Sequence, residues 1–331
     1  MPSKKSKPDK YKNEIIFEGI PLRVHKPVLK WVGGKQNLLT NVLGKFPKKM
    51  KNYHEPFLGG GSVLIGILTL IHKNKIEVED SIYAYDLNPY LIALYHNIQQ
   101  FPEEVYQELQ KLKTKINSIS TIKDTDKVVR KNIKKKIKAI TEENSQETQE
   151  MFYYWCRKLY NEMSIEEKKS IQGSAYFLFL NKTCFRGLYR VNNQDFNVPY
   201  GNYKKPEILS LQQIREVSKL LQPVIFQCLS FQNSLETVGQ DDFVYLDPPY
   251  VPEDESSFVK YTKEGFSKEL HEELFSKVKK MENKFLMSNS KVDLVTNAFL
   301  EEEYNVDTIE CRRAINSKNP ESTTQEVLIY N

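Results

Sequence analysis

An α/β protein, with a parallel sheet split in sequence by a helical insert, is the fold class this chain predicts. Three observations lead there. Extended apolar segments followed by glycine or Asn-Pro turns and then helices recur before residue 100. From about 100 to 220 the chain turns helical, charged and rich in Asn, Gln and Lys. Strand and helix then alternate again from about residue 224. Such alternation predicts a parallel sheet, because parallel neighbours need a crossover and a helix usually makes it.

Taken in order, the first 25 residues open with "MPSKKSKPDKYKN", basic and polar without the apolar centre of a secretory signal, and read as a flexible tail. "HKPVLKWVGGKQNLLTNVLGKFP" gives an extended piece, a Gly-Gly turn and a helix from about Lys35 to Leu43. "NYHEPFLGGGSVLIGILTLIHK" repeats that grammar around the glycines 59–61, and "DSIYAYDLNPYLIALYHNIQQF" places a strand at 82–85, Asp86 at its end and a helix from near Pro89. After the helical middle, with a loop-like stretch at 184–206, come "PVIFQCLSF", "DDFVYLDPPY", a helix around 267–282, a strand "KFLMSNS" and a last strand "EVLIYN". The divisions are a tail at 1–25, a first sheet segment at 26–100, an insert at 101–220 and a second sheet segment at 221–331.

The chain has 331 residues, enough for a full core, and no apolar run near the ~20 residues of a membrane span. Cys156, Cys184, Cys228 and Cys311 stand far apart with no CxxC pair, which argues against zinc and against a disulfide framework and fits a reducing compartment. Charge is unevenly spread. Between Lys111 and Ile140 eleven Lys/Arg face only Asp124 and Asp126, while Val129, Ile133, Ile137 and Ile140 form an apolar helical stripe. Lys134, Lys135 and Lys136 thus stand on either a phosphate-facing surface or a solvated one.

Two stretches carry chemistry. In "EPFLGGGSVL" a glycine loop precedes a helix, whose free N–H groups suit a carboxylate or phosphate. Gly59-Gly60-Gly61 lacks the third glycine of GxGxxG, so a dinucleotide site is weakly supported. Asp86 stands where an acid binds ribose hydroxyls in open α/β sheets, and equally where a helix cap would stand. In "DFVYLDPPYVP" a buried strand runs into Asp247, Pro248, Pro249 and Tyr250. A rigid turn explains the prolines. It does not explain the acid and the ring. An exocyclic ring amine is a poor nucleophile because its lone pair is delocalised. Acceptors at its N–H groups, the Asp247 carboxylate and the Pro248 carbonyl, localise that pair, and Tyr250 stacks on the ring to align it.

Together "KWVGGKQNLL", "EPFLGGGSV", "AYDLNPYLI" and "VYLDPPY" resemble, in order and from about Lys26 to Asn331, the Dam-type (alpha group, D12 class) S-adenosylmethionine-dependent DNA adenine-N6 methyltransferases. The resemblance implies a Rossmann-like class I methyltransferase sheet, with an inserted, mainly helical DNA-recognition domain bearing a β-hairpin at 101–220. The segments 26–100 and 221–331 would be the cofactor-binding and DPPY parts of the catalytic domain. It also implies that Trp31, Lys35, Phe57, Gly59, Asp86, Ser230, Phe231 and Asp247 line the donor site, and that Asp247, Pro248 and Tyr250 handle a flipped base. "NKTCFRGLYRVNNQDFNVPYGNYKKP" resembles the family's reading hairpin, with Arg190 on a guanine edge and Leu188, Tyr189 and Pro199 flanking it. Arg186 stands where the family usually has Asn, which bears on the target site. Arg312 and Arg313 are either phosphate contacts or part of a solvated loop.

The expected function is therefore methylation of adenine N6 in double-stranded DNA, at GATC or a related short site. The enzyme would use no metal and no membrane and act as a monomer in the cytoplasm, with the DNA, of cellular or viral origin. Alternatives are cytosine-N4 methylation, further off RNA or protein-glutamine amide methylation, then a DNA-binding module without catalysis and a nicotinamide-dependent dehydrogenase. The incomplete glycine fingerprint and DPPY disfavour the last.

Overall fold

The computed structural model describes residues 12–119, 127–193, 195–203, 206–252, 266–312 and 323–331. Its strands are β1 (Lys12–Phe17), β2 (Ile20–His25), β3 (Lys49–Met50), β4 (Tyr53–Glu55), β5 (Glu77–Val78), β6 (Ile82–Tyr85), β7 (Val191–Asn192), β8 (Asp195–Phe196), β9 (Val224–Gln227), β10 (Phe243–Leu246), β11 (Lys284–Ser290), β12 (Asn305–Arg312) and β13 (Thr323–Tyr330). Among the described residues seven of them form the central sheet, in the order β12-β13-β11-β10-β4-β6-β9. From β11 to β9 all neighbours are parallel, and β13 alone is reversed, antiparallel to both β11 and β12. The α/β class read from the sequence is the observed one.

The central strands β4 and β10 are buried at every residue. Helices cover both sheet faces, so these strands read as near-continuous apolar runs instead of alternating ones. The helix Ser62–His72 is buried from Ser62 to Leu70. The helix Pro89–Gln100 starts with Pro in its first turn and is capped by Asn88, whose side chain accepts from the N–H groups of Tyr90 and Leu91. Asn88 therefore does the capping that had been an alternative for Asp86.

Between β6 and β9 the chain makes the helices Pro102–Ser118, Lys127–Lys138, Gln149–Glu162, Ile165–Lys169, Ile171–Thr183 and Leu211–Leu221. Ile171–Thr183 is buried almost throughout, and its apolar side chains join those of the sheet helices in one continuous core. The insert is thus packed into the sheet domain, not hung from it.

Strand order turns between β4 and β10. From β4 the chain adds β6 and β9 on one side, then returns to place β10 and β11 on the other. Ligands in open α/β sheets bind beyond the carboxyl ends of the strands at such a switch. The glycine loop follows β4, Asp86 follows β6, and Asp247 follows β10.

Three sequence expectations need correction. Residues 12–25 are no tail: β1 and β2 form an antiparallel hairpin with Ile15 opposite Leu22 and Phe17 opposite Ile20. Net charge had hidden the alternation that buries Ile15, Phe17 and Val24. The two-residue turn at Glu18 (φ 51°) and Gly19 (φ 76°) suits the right-handed twist of a tight hairpin. Residues 1–11 lie outside the described residues. Second, the helix expected from Lys35 to Leu43 is a single 3-10 turn, Lys35–Asn37, and then Leu39–Leu43, with Leu38 non-helical between them. Third, within the segment 181–206 the helix Ile171–Thr183 takes the first residues; among the described residues the hairpin strands are β7 and β8, with an isolated antiparallel bridge between Cys184 and Tyr200. Because Phe17 is a fully packed core ring, Phe17→Ala should cost about 3–5 kcal/mol in a denaturant titration. A cost under about 1 kcal/mol would return the hairpin to the status of a loose appendage.

Candidate active site

Lys35 is the residue on which the site turns. Its side chain is 3% exposed, and its ammonium lies 2.7 Å from Asp247 Oδ1, whose side chain keeps 19% exposure. The same ammonium donates to the Gly33 carbonyl at 2.7 Å, while the Lys35 backbone N–H donates to Ser62 Oγ at 3.1 Å. It also stands 4.7 Å from the centroid of the Tyr250 ring, a cation–π distance. Burial lifts the Asp247 carboxyl above the usual carboxylate range, and Lys35 pulls it back. Nearby, burial pushes the buried Glu55 carboxyl up to about 8, opposed by its bond from the Tyr53 hydroxyl and reinforced by the Asp247 charge.

The loop after Asp247 is held from behind. Asn289, at the end of β11, accepts from the Val251 N–H at 3.1 Å through Oδ1, and Ser290 donates its hydroxyl to the Val251 carbonyl at 2.5 Å. The Tyr250 hydroxyl donates to Glu326 Oε2 of β13 at 2.7 Å. Asn289, Ser290 and Glu326 lie outside the motifs read from the sequence. The available signal was polar residues ending β11 and an acid in the apolar last strand.

The neighbouring pocket is built on backbone. Asp86 accepts from the Gly59 N–H at 3.0 Å through one oxygen and from the Asn88 N–H at 2.9 Å through the other. Burial raises its pKa, and those two N–H groups oppose the rise. Each oxygen keeps acceptor capacity. Gly60 must be glycine, since a Cβ there would lie 2.7 Å from Trp31 Cβ. Gly61 has φ +64°, and a Cβ would meet the Tyr95 hydroxyl at 2.7 Å. That hydroxyl is buried without a hydrogen-bond partner among the described residues. Phe57 stacks on Phe231 at 5.9 Å, Phe231 is buried, and Ser230 caps the short helix Phe231–Leu235 by accepting from the Asn233 N–H.

Trp31 joins this pocket to the insert. One side of the indole lies on Gly59 and Gly60, and it stacks on Tyr189 at 5.4 Å and 20°. Tyr189 packs further on Phe177 and Phe196, and burial pushes its phenol up to about 12. The ring expected to flank Arg190 on DNA is thus turned inward. Asn181 secures the same junction: it accepts from the Lys30 N–H at 2.9 Å and donates to the carbonyls of Lys30 at 2.8 Å and Gly187 at 3.1 Å. Leu188 is half-buried against the core.

Arg190 is exposed, with Nε donating to Asn197 Oδ1 at 2.6 Å and Nη2 to the Asn197 carbonyl at 3.3 Å. Arg186 is exposed in a left-handed conformation (φ 56°), where Asn is better tolerated than Arg. Pro199 is exposed and its carbonyl accepts from the Phe185 N–H at 2.8 Å. In the helix Lys127–Lys138, Lys135 is exposed and Lys136 pairs with Glu147 at 2.6 Å. The side chains of Lys134 and Arg312, and Arg313 entirely, lie outside the described residues. Lys35, Asp247 and Tyr250 therefore converge, as do Trp31, Gly59 and Asp86. The lysine helix packs on Gln149–Glu162. Among the described residues no group of three or more His, Cys, Asp or Glu could hold a metal ion, and no helix is long and apolar enough to cross a membrane.

A family model described as D12 class N6 adenine-specific DNA methyltransferase matches residues 31–315. The chain is 33% identical over 319 residues to the Type II methyltransferase M.MjaIII of Methanocaldococcus jannaschii, covering 92% of this chain and 99% of that protein. It is 31% identical over 251 residues to the DNA adenine methylase of Haemophilus influenzae, covering 74% and 71%. The Type II methyltransferase M.CviBI of Paramecium bursaria Chlorella virus NC1A is 28% identical over 276 residues, covering 83% and 86%.

Proposed function

The chain belongs to the D12 class of N6 adenine-specific DNA methyltransferases, and on that footing we propose that it methylates adenine in duplex DNA at GATC or a related short site, with S-adenosylmethionine as donor and the base turned out of the helix. The observation that carries the reading is the buried Lys35–Asp247 pair at 2.7 Å, under the Tyr250 ring and beside the Asp86–Gly59 pocket. In duplex DNA adenine N6 is tied into the base pair and offers only its edge to the major groove, so the amine reaches a side chain in this recess only if the base is extruded.

S-adenosylmethionine, when bound, supplies a methyl group on a cationic sulfur. The pocket suits it: Asp86 has acceptor capacity for ribose hydroxyls, the glycine loop allows close approach, and the orphaned Tyr95 hydroxyl seeks a partner. Trp31, Phe57, Gly59, Asp86, Ser230 and Phe231 would hold the donor. Lys35, read from sequence as a donor contact, here serves Asp247. With Oδ1 bound to Lys35, Oδ2 and the Pro248 carbonyl accept from the N6 hydrogens and localise the nitrogen lone pair. Tyr250 holds the ring face.

For target reading, Asn197 pre-sets the Arg190 guanidinium, which suits a guanine edge. Arg186, Leu188 and Pro199 surround it, and Lys134, Lys135 and Lys136 lie against phosphates. The protein acts as a monomer in the cytoplasm, where the DNA is. Modification-sensitive sequencing of DNA from cells expressing the protein tests the modified base and its context together, and methylated adenine in one short context is expected. Arg190→Ala should lower methylation of the cognate site and relax the requirement at one guanine, costing ~1–3 kcal/mol there and little at a site already altered. A uniform loss across contexts would move target reading away from Arg190. Methylated cytosine would overturn the choice of base.

A further inference from the structure

Glu326 sits on the last strand, far in sequence from every motif that carries chemistry. β13 is antiparallel to both neighbours, and this sets Glu326 opposite Ser290 of β11 and Ile309 of β12. From there its Oε2 reaches the Tyr250 hydroxyl at 2.7 Å. The centroid of the same ring lies 4.7 Å from the Lys35 ammonium, which holds Asp247 at 2.7 Å. A chain of contacts thus runs from Glu326 through Tyr250 and Lys35 to Asp247.

We infer that Glu326 is a positioning residue for methyl transfer, holding the Tyr250 ring where it can fix the target base against Asp247. The phenol oxygen lies on the axis about which the ring turns, so a bond at that end fixes where the ring stands. Because a phenolic O–H prefers the ring plane, the same bond also biases the tilt. Burial and the adjacent carboxylates keep the phenol protonated, so it donates and Glu326 accepts. Stacking geometry matters here because a misplaced reactant loses rate steeply with small displacement. The inference rests on Tyr250 being the ring that holds the base.

The test uses the full chain, with initial rates of methyl transfer to a cognate duplex and S-adenosylmethionine affinity measured by calorimetry. Glu326→Ala and Tyr250→Phe should each lower kcat by about tenfold with donor affinity unchanged, and the double variant should be no worse than either single one, because both remove the same bond. Glu326→Gln keeps an acceptor and should recover most of the loss. If Glu326→Ala does not fold, Tyr250→Phe breaks the bond from the other end and is compared with Glu326→Gln. Multiplicative losses in the double variant would overturn the inference, as would Glu326→Gln falling as low as Glu326→Ala, since the carboxylate would then act by charge or by proton uptake. Tyr250→Ala separates the two levels. If it is inactive while Glu326→Ala keeps the wild-type rate, only the Glu326 inference fails. If Tyr250→Ala is itself fully active, the reading of Tyr250 fails and takes the inference with it.

Discussion

Replacing Asp247 with alanine should lower methyl transfer by about 10²–10³-fold, the scale on which loss of one preorganised polar partner acts. The carboxylate stands at the end of a fully buried strand, anchored by the Lys35 pair and followed by two prolines, so it spends no energy reorganising when the amine arrives. The donor pocket is built from other elements, namely the loop after β4 and the end of β6. S-adenosylmethionine affinity should therefore stay within several-fold. The two measurements are single-turnover transfer and calorimetric donor binding. Near-normal transfer would show that the acceptor at N6 is some other group. Equal losses in transfer and donor binding would show that Asp247 shapes the pocket and does not act on the amine.

Lys35→Met is expected to be nearly as damaging at neutral pH, with a different signature. Asp247 accepts from the amine most strongly when ionised, and burial already lifts its pKa while Lys35 lowers it. For a carboxylate needed in its charged form, activity is present above the pKa and lost as pH falls through it. Removing the ammonium lets the pKa climb further, so the acid limb of the pH–rate profile moves to higher pH. The variant should lose activity through lost alignment and protonation, and regain the part due to protonation as pH rises. Methionine keeps most of the buried stem volume, so packing changes little. Coincident acid limbs in the two profiles would refute the counter-ion role.

Much of the fold was legible because its signals are local. β6 and β11 were read at their observed bounds, since each is an apolar run closed by residues that end strands or start helices, Asp-Leu-Asn-Pro after β6 and Ser-Asn-Ser at the end of β11. The α/β class followed from alternation alone. Local reading also erred where charge and pattern competed: at 12–25 the lysines drew the eye and the Ile15–Phe17 alternation was missed.

The motif residues Asp86, Asp247 and Tyr250 could be picked out from the sequence, because an acid or ring at the end of a buried strand is unusual wherever it occurs. Their partners could not. Lys35 and Asp247 are 212 positions apart, and only the placement of β10 beside β4 brings the loop before helix Leu39–Leu43 onto the DPPY turn. Glu326 meets Tyr250 because β13 runs antiparallel beside β11, and a one-residue slip in that pairing would turn its side chain to the other face. Tyr189 went to Trp31 instead of outward because the insert shares its core with the sheet helices. Which elements form is set by residues within a few positions of one another. Which charges and rings meet is set by strand order and register, and these depend on the packing of the whole chain.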